Sequence, residues 1–242
     1  METQKPRVTW ITGASTGIGK ALAEVFTLRG DTVIASARTE SKLNELCQQI
    51  SAAHGTCEII KCDVQSEASV FEVIKKILDL HGHIDILINN AGVTYFKDFI
   101  DTSIEEFDHV INTNLRGTFL ATKAVLPAML QNQKGLVLNI LSHVVKEVYT
   151  KSAAYSSSKA GTEAMMNVLR SEVRRHGVNI VNVYPGAVST PIWRQDQREK
   201  FGNRMLMPEQ IAEMLYQVSI QPSSLMVEEI ILRPQDGDLQ VS

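Results

Sequence analysis

The sequence predicts an α/β fold: a doubly wound parallel sheet of about seven strands in a single domain. Three observations predict it. Short β-branched runs alternate with longer amphipathic segments from end to end, the pattern of repeated strand–helix–strand units. A glycine-rich turn follows the first such run, where a strand hands over to a helix. No linker, low-complexity tract or internal repeat divides the 242 residues, a length suited to one large α/β domain.

Residues 7–12 form the first expected strand, and a helix runs from the turn Gly13-Ala-Ser-Thr-Gly17-Ile-Gly19 to about residue 29. Glycines at 13, 17 and 19 permit a tight turn and close approach of a ligand to backbone. The helix start, with Ser15, Thr16 and Ile18 between the glycines, offers N–H groups and a positive dipole end to a pyrophosphate. The spacing is G-x-x-x-G-x-G rather than G-x-G-x-x-G, and a turn serving packing alone is the other reading. Residues 31–37 make the second strand. An acidic residue usually sits about 20 positions past the glycines to grip a ribose 2′-hydroxyl. Here Ala37 holds that place and Arg38 follows, which favours a 2′-phosphate and so NADP(H) over NAD(H). A solvated strand-end arginine is the alternative.

Helices are expected over about 40–53 and 66–81, and strands over 56–62 and 84–88. Asp63 and Val64 end one strand; Asn89-Asn90-Ala91-Gly92 end the other, at the carboxyl edge that lines the crevice of such sheets. Ser103-Ile-Glu-Glu106 reads as a capping box opening a helix to about 131, with Asn114 and Gly117 predicting a kink or local opening. Residues 136–141 form the fifth strand and 178–184 the sixth. The helix between them, 152–176, carries Tyr155 and Lys159, with Arg170, Arg174 and Arg175 facing solvent at its end. Pro185-Gly186, Val188 and Thr190 lead into 187–207, expected as a substrate lid, before a helix from Pro208 and a last strand over 225–233.

Tyr155 and Lys159 lie four apart, one turn along one helix face, and Ser142 ends the preceding strand. A phenol titrates near ~10 and is a poor base at neutrality; a neighbouring ammonium favours the phenolate. Lowering it to ~7 requires roughly 4 kcal/mol, after which Tyr155 exchanges a proton with a substrate oxygen that Ser142 holds. Chance Y-x-x-x-K spacing, with lysine snorkelling past a half-buried tyrosine, is the competing account.

The net charge of −3 gives no case for nucleic-acid steering, and no apolar run approaches the ~20 residues of a membrane span. No signal-peptide pattern opens the chain. Cys47, Cys57 and Cys62 read as reduced thiols, and neither cysteine nor histidine shows metal-ligand spacing. These features suggest a cytoplasmic setting without a bound metal.

With these pieces placed, residues 7–233 resemble the short-chain dehydrogenase/reductase family, in its shorter single-domain branch with a Rossmann-like sheet. The resemblance rests on Thr12-Gly-Ala-Ser-Thr-Gly-Ile-Gly19, Asp63, Asn89-Asn-Ala-Gly92, Asn114, Ser142, Tyr155-x-x-x-Lys159 and Pro185-Gly186 with Thr190, all in order. It implies a tetrad of Asn114, Ser142, Tyr155 and Lys159. Tyr155 would be the acid/base, Lys159 would lower its pKa and bond the nicotinamide ribose, Ser142 would orient the substrate, and Asn114 would hold a relay water. Asp63 would bond the adenine, 90–92 flank the ribose, and Val188 and Thr190 fix the carboxamide. The implied activity is hydride transfer between NADP(H) and a small-to-medium apolar carbonyl or secondary alcohol, as a carbonyl reductase or alcohol dehydrogenase (EC 1.1.1.-). Helices 104–131 and 152–176 would pair in a homodimer or homotetramer. His143 is expected as a pocket-wall or hydrogen-bonded residue, and Val144, Val145, Val148, Tyr149, Ile192 and Trp193 as pocket wall or core. A non-catalytic nucleotide-sensing protein of this fold is the alternative; such a relative would be expected to lose Tyr155 or Lys159.

Overall fold

The computed structural model describes residues 5–53, 55–222, 224–237 and 239. Seven strands form one sheet: β1 (Val8–Thr12), β2 (Thr32–Ala37), β3 (Cys57–Lys61), β4 (Ile86–Asn89), β5 (Gly135–Ile140), β6 (Val178–Pro185) and β7 (Glu229–Leu232). Their order is β3-β2-β1-β4-β5-β6-β7 and every pairing is parallel. The winding direction reverses between β1 and β4, which opens a crevice at their carboxyl ends.

Alternate residues of each strand feed two cores, as the pleat requires. Ile11, Val33, Ile88 and Val183 pack under α1 (Gly17–Leu28), α2 (Glu40–Ala52) and α8 (Pro208–Ser219). Trp10, Ile34, Leu87 and Ile180 pack under α3 (Glu67–His81), α5 (Gly117–Gln131) and α6 (Ala153–Val173). Local chemistry sets the helix ends. The Ser66 hydroxyl accepts from Ser69 N at 3.3 Å to open α3, and Gly82 ends it at φ 77°. The capping box at Ser103 and Glu106 opens α4 (Ile104–Ile111).

The expected 104–131 helix is interrupted. Residues 112–116 form a π turn between α4 and α5, where Gly117 N–H reaches back to Asn112 O. Gly117 follows because a Cβ there would meet Val64 Cγ2 at 2.8 Å.

Three expectations are corrected. Arg170 is buried rather than solvent-facing: its guanidinium donates to Ile180 O at 2.9 Å, Asn167 Oδ1 at 2.8 Å and Glu228 O at 2.8 Å, so carbonyls of the sheet replace water. Cys47 and Cys57 are joined in a disulfide from α2 to β3, with Cα atoms 5.6 Å apart; Cys62 is the buried free thiol. The helix–strand packing of α2 on β3 brings the two sulfurs together, and the thiol count loses its value as a sign of compartment. The segment after β6 carries α7 (Gln195–Phe201) and a short 3-10 turn, Gly202–Arg204, rather than irregular chain. No helix among the described residues is long and apolar enough to cross a membrane, and no group of three or more potential metal ligands occurs among them.

Candidate active site

The site collects at the carboxyl ends of β1 to β6. After β1, Gly13 and Gly17 take φ of +65° and +57°, conformations that favour glycine. A Cβ on Gly19 would collide with Gly13 O and the Asn90 side-chain nitrogen. Thr16, the N-cap of α1, makes no side-chain capping hydrogen bond, so the helix start keeps its donors for an anion. Asn90 is turned to this loop: its Nδ2 donates to Thr12 O and Gly13 O, each at 3.0 Å. Thr12 Oγ1 in turn accepts from Asn90 N at 3.0 Å and Ala91 N at 3.1 Å. Asn90 therefore shapes the glycine turn, and Thr12, to which the sequence alone assigns no separate role, is the pin of this junction.

Arg38, after β2, is exposed and shares a cleft of about 690 Å³ with Glu40, Lys61 and Asp63 beside β3. Asp63 accepts from Gln65 N at 3.0 Å through Oδ1, which fixes the turn into α3. Val64 is buried against Gly117. Pro185 ends β6, and Gly186 N donates to Leu232 O at 2.7 Å. Val188 pairs with Leu206 in an isolated parallel bridge, so both ends of the intervening excursion are tied together. Thr190, buried, would touch a Cβ on Gly17 at 3.1 Å, which closes the ring of residues around the helix start.

Asn114 and Lys159 meet beside Gly92, and Lys159 adjoins Tyr155, which hydrogen-bonds Ser142. A Cβ on Gly92 would lie 3.4 Å from Asn114 Oδ1 and 3.6 Å from Lys159 Nζ. Asn114 accepts from Val93 N at 2.8 Å and donates to Val93 O at 3.0 Å and Ser158 Oγ at 2.9 Å. It thus clamps the chain after β4 to α6. Its carbonyl accepts from the hydroxyl of Thr118 at 2.7 Å and lies 3.5 Å from that of Thr162. Ser158, one residue before Lys159 and fully buried, completes this clamp; nothing in its polar run distinguished it beforehand.

Ser142 leaves β5, accepts from Val144 N at 3.3 Å and hydrogen-bonds the Tyr155 phenol. Part of Tyr155 stays accessible, yet its hydroxyl is desolvated, and burial pushes the phenol up to about 12 against a smaller opposite pull from Ser142. This corrects the expected lowering by Lys159. The Lys159 ammonium donates to Ile140 O at 2.6 Å and sits 5.7 Å from the Tyr155 ring centroid. Its own burial lowers it from 10.5 to about 8.

The turn after Ser142 is held from outside. Lys146 Nζ bonds Glu163 at 2.7 Å and Glu229 at 3.4 Å and lies 4.1 Å from the Tyr184 ring centroid. The Tyr184 hydroxyl donates to Glu163 at 2.7 Å. His143 is buried and hydrogen-bonded, with Nδ1 3.2 Å from the Tyr149 hydroxyl. Val148, in contrast, is 98% exposed rather than part of a core.

Residues 7–200 match the family described as short chain dehydrogenase. The chain is 37% identical over 237 residues to a sepiapterin reductase of Chlorobaculum tepidum, covering 95% of this chain and 97% of that one. A metagenomic short-chain oxidoreductase in complex with NADP superposes with a TM-score of 0.84 at 31% identity, over 95% of this chain and 97% of that one. An alcohol dehydrogenase from the archaeon Thermococcus sibiricus, complexed with 5-hydroxy-NADP, gives 0.88 at 29% identity over 97% and 99%.

Proposed function

Because the chain belongs to the short-chain dehydrogenase family of oxidoreductases, we propose that it is an NADP(H)-dependent carbonyl reductase acting on small-to-medium apolar carbonyls. The observation that carries this reading is the meeting of three side chains: Ser142 hydrogen-bonds the Tyr155 phenol, and the buried Lys159 Nζ lies 5.7 Å from the Tyr155 ring centroid. A protonated phenol can give its proton to a carbonyl oxygen, and the phenolate left behind is the acceptor for the reverse step.

The residues present fit the cofactor. The uncapped start of α1, with 13–19, would receive the pyrophosphate, Arg38 the 2′-phosphate, Asp63 and Val64 the adenine edge, 90–92 and Lys159 the riboses, and Pro185, Gly186, Val188 and Thr190 the carboxamide. Thr94 Oγ1, two residues past Gly92, is buried without a hydrogen-bond partner, a hydroxyl left for a ligand in that crevice. Bound NADPH supplies the hydride. Ser142 holds the substrate oxygen, Tyr155 passes its proton to that oxygen, and Lys159 stabilises the phenolate left behind. Asn114 keeps the π turn open for a water that returns the proton, and holds the chain after β4 against α6.

The expected test outcome is that Tyr155→Phe lowers kcat by about 10²–10⁴-fold, the usual contribution of a positioned acid. NADPH binding, followed by fluorescence, should stay within a few-fold of wild type. A Phe variant with near-normal turnover would refute the role of Tyr155.

A further inference from the structure

Two aromatic residues meet on the chains that leave the carboxyl ends of β4 and β6. Phe96 lies on the chain after β4, and Trp193 lies on the chain after β6. Their rings stack with centroids 5.6 Å apart at 25°. In the sheet, β4 and β6 flank β5, from which Ser142 emerges. The pair therefore joins the two chains on either side of the strand that leads to Ser142. Both partners are anchored to the site: Phe96 lies four residues past Gly92, and Lys97 N donates to Lys151 O at 3.0 Å next to α6. Trp193 N donates to Thr190 O at 3.1 Å, and its indole packs with Phe201 on Ala187 and Met205. Phe96 remains 45% exposed, so the contact sits at the mouth rather than in a core.

We infer that this Phe96–Trp193 pair is an aromatic clasp that selects carbonyls borne on a flat aromatic ring. The inference rests on the carbonyl-reductase reading and specifies its substrate class. At 5.6 Å the rings leave no room for a third ring between them, given the 4.5–7 Å spacing of one aromatic pair. A substrate reaching Ser142 and Tyr155 must part the clasp and lose that contact. A flat ring offsets the loss by stacking on the freed face of Trp193 or Phe96, whereas an aliphatic ring of similar volume presents no such face.

The test uses the full chain with two ketones of similar size, methyl phenyl ketone and methyl cyclohexyl ketone. Wild type should reduce the phenyl ketone with about tenfold higher kcat/KM, an effect of the size expected from one to two aromatic contacts. Phe96→Leu and Trp193→Leu keep apolar bulk and remove the ring; each should bring the ratio close to one, while Trp193→Phe should retain it. A ratio near one in wild type, or a ratio unchanged in both Leu variants, would overturn the clasp. Binding is read separately without turnover. Trp10, the only other tryptophan, is fully buried, so the emission that wild type has beyond Trp193→Phe reports Trp193. The phenyl ketone should quench that emission saturably in the presence of NADP⁺, and the cyclohexyl ketone should not. Equal or absent quenching by both would reject the clasp. Failure of either ketone to consume NADPH, with quenching by the phenyl ketone intact, would instead count against the reductase reading and leave the clasp standing.

Discussion

At Tyr155 two effects of opposite sign compete. A lysine one helical turn away favours the phenolate, while removal of water favours the phenol, and desolvation is the larger effect. Lys159 meets the same desolvation, and for a cation this lowers the pKa, to about 8. The sign of the consequence is fixed: between about 8 and 10.5 the unfolded chain holds a proton that the native lysine has released, so this group adds stability as pH rises through that window. The gap corresponds to roughly 3 kcal/mol. Tyr155 acts oppositely, its contribution being lost as pH rises from 10 towards about 12. Thermal unfolding at several pH values should show Lys159→Met relieving the penalty at pH 7 and flattening the rise between pH 8 and 10; an unchanged slope would refute this account. Arg38 is tested by titrating NADPH and NADH in parallel. Losing a charge-assisted contact to a phosphate should weaken NADPH about ten- to a hundredfold in Arg38→Ala and leave NADH nearly unaffected.

At the scale of elements, the Cys47–Cys57 bridge fastens α2 to the edge strand β3. α2 begins just after Arg38, and β3 ends just before Asp63, so the bridge spans the two elements that frame the cleft shared by Arg38 and Asp63. Its sequence separation is only 10 residues, and loop-closure entropy gives roughly 2–3 kcal/mol for a bridge of that size. Cys47→Ser should lower the denaturation free energy by about that amount under oxidising conditions and make no difference in reductant; equal stability in both would mean that the bridge does not form in solution. The glycine turn was legible in the sequence because glycines at that spacing, directly after a strand, suit a ligand-cradling turn far better than a continuing strand or helix. The opening near Asn114 was legible because asparagine and glycine weaken a helix. The bridge was not, since it depends on how α2 lies on β3. Nor was the burial of Arg170, which at a helix end reads as solvated until the carbonyls of Ile180 and Glu228 are brought beneath it.

For the whole molecule, the alternation of runs was enough to predict seven strands and a single fold, because a buried parallel strand and an amphipathic helix leave different periodicities. What the chain order could not supply was which loops meet across the crevice. Phe96 and Trp193 are 97 positions apart and drew together only through the order of β4, β5 and β6. Assembly belongs to this scale too. Phe107, Phe119 and Val168, on α4, α5 and α6, are 42%, 46% and 60% exposed, a costly arrangement for an isolated chain. We expect light scattering at micromolar concentration to give a dimer or tetramer, and Phe119→Asp to shift it towards monomer; a monomeric wild type would reject pairing through these helices.

The π turn at 112–116 has a consequence in plain counting. A hydrogen bond from residue 117 back to 112 encloses one residue more than an α-helical turn would. The run from α4 to α5 therefore behaves as a regular helix carrying a single surplus residue, squeezed out as a bulge. The bulge lies where the Asn114 carbonyl accepts from the Thr118 hydroxyl. A one-residue deletion at Thr113 would let the helix run through unbroken, giving a protein that is better formed by the rules of helices and worse equipped for its chemistry.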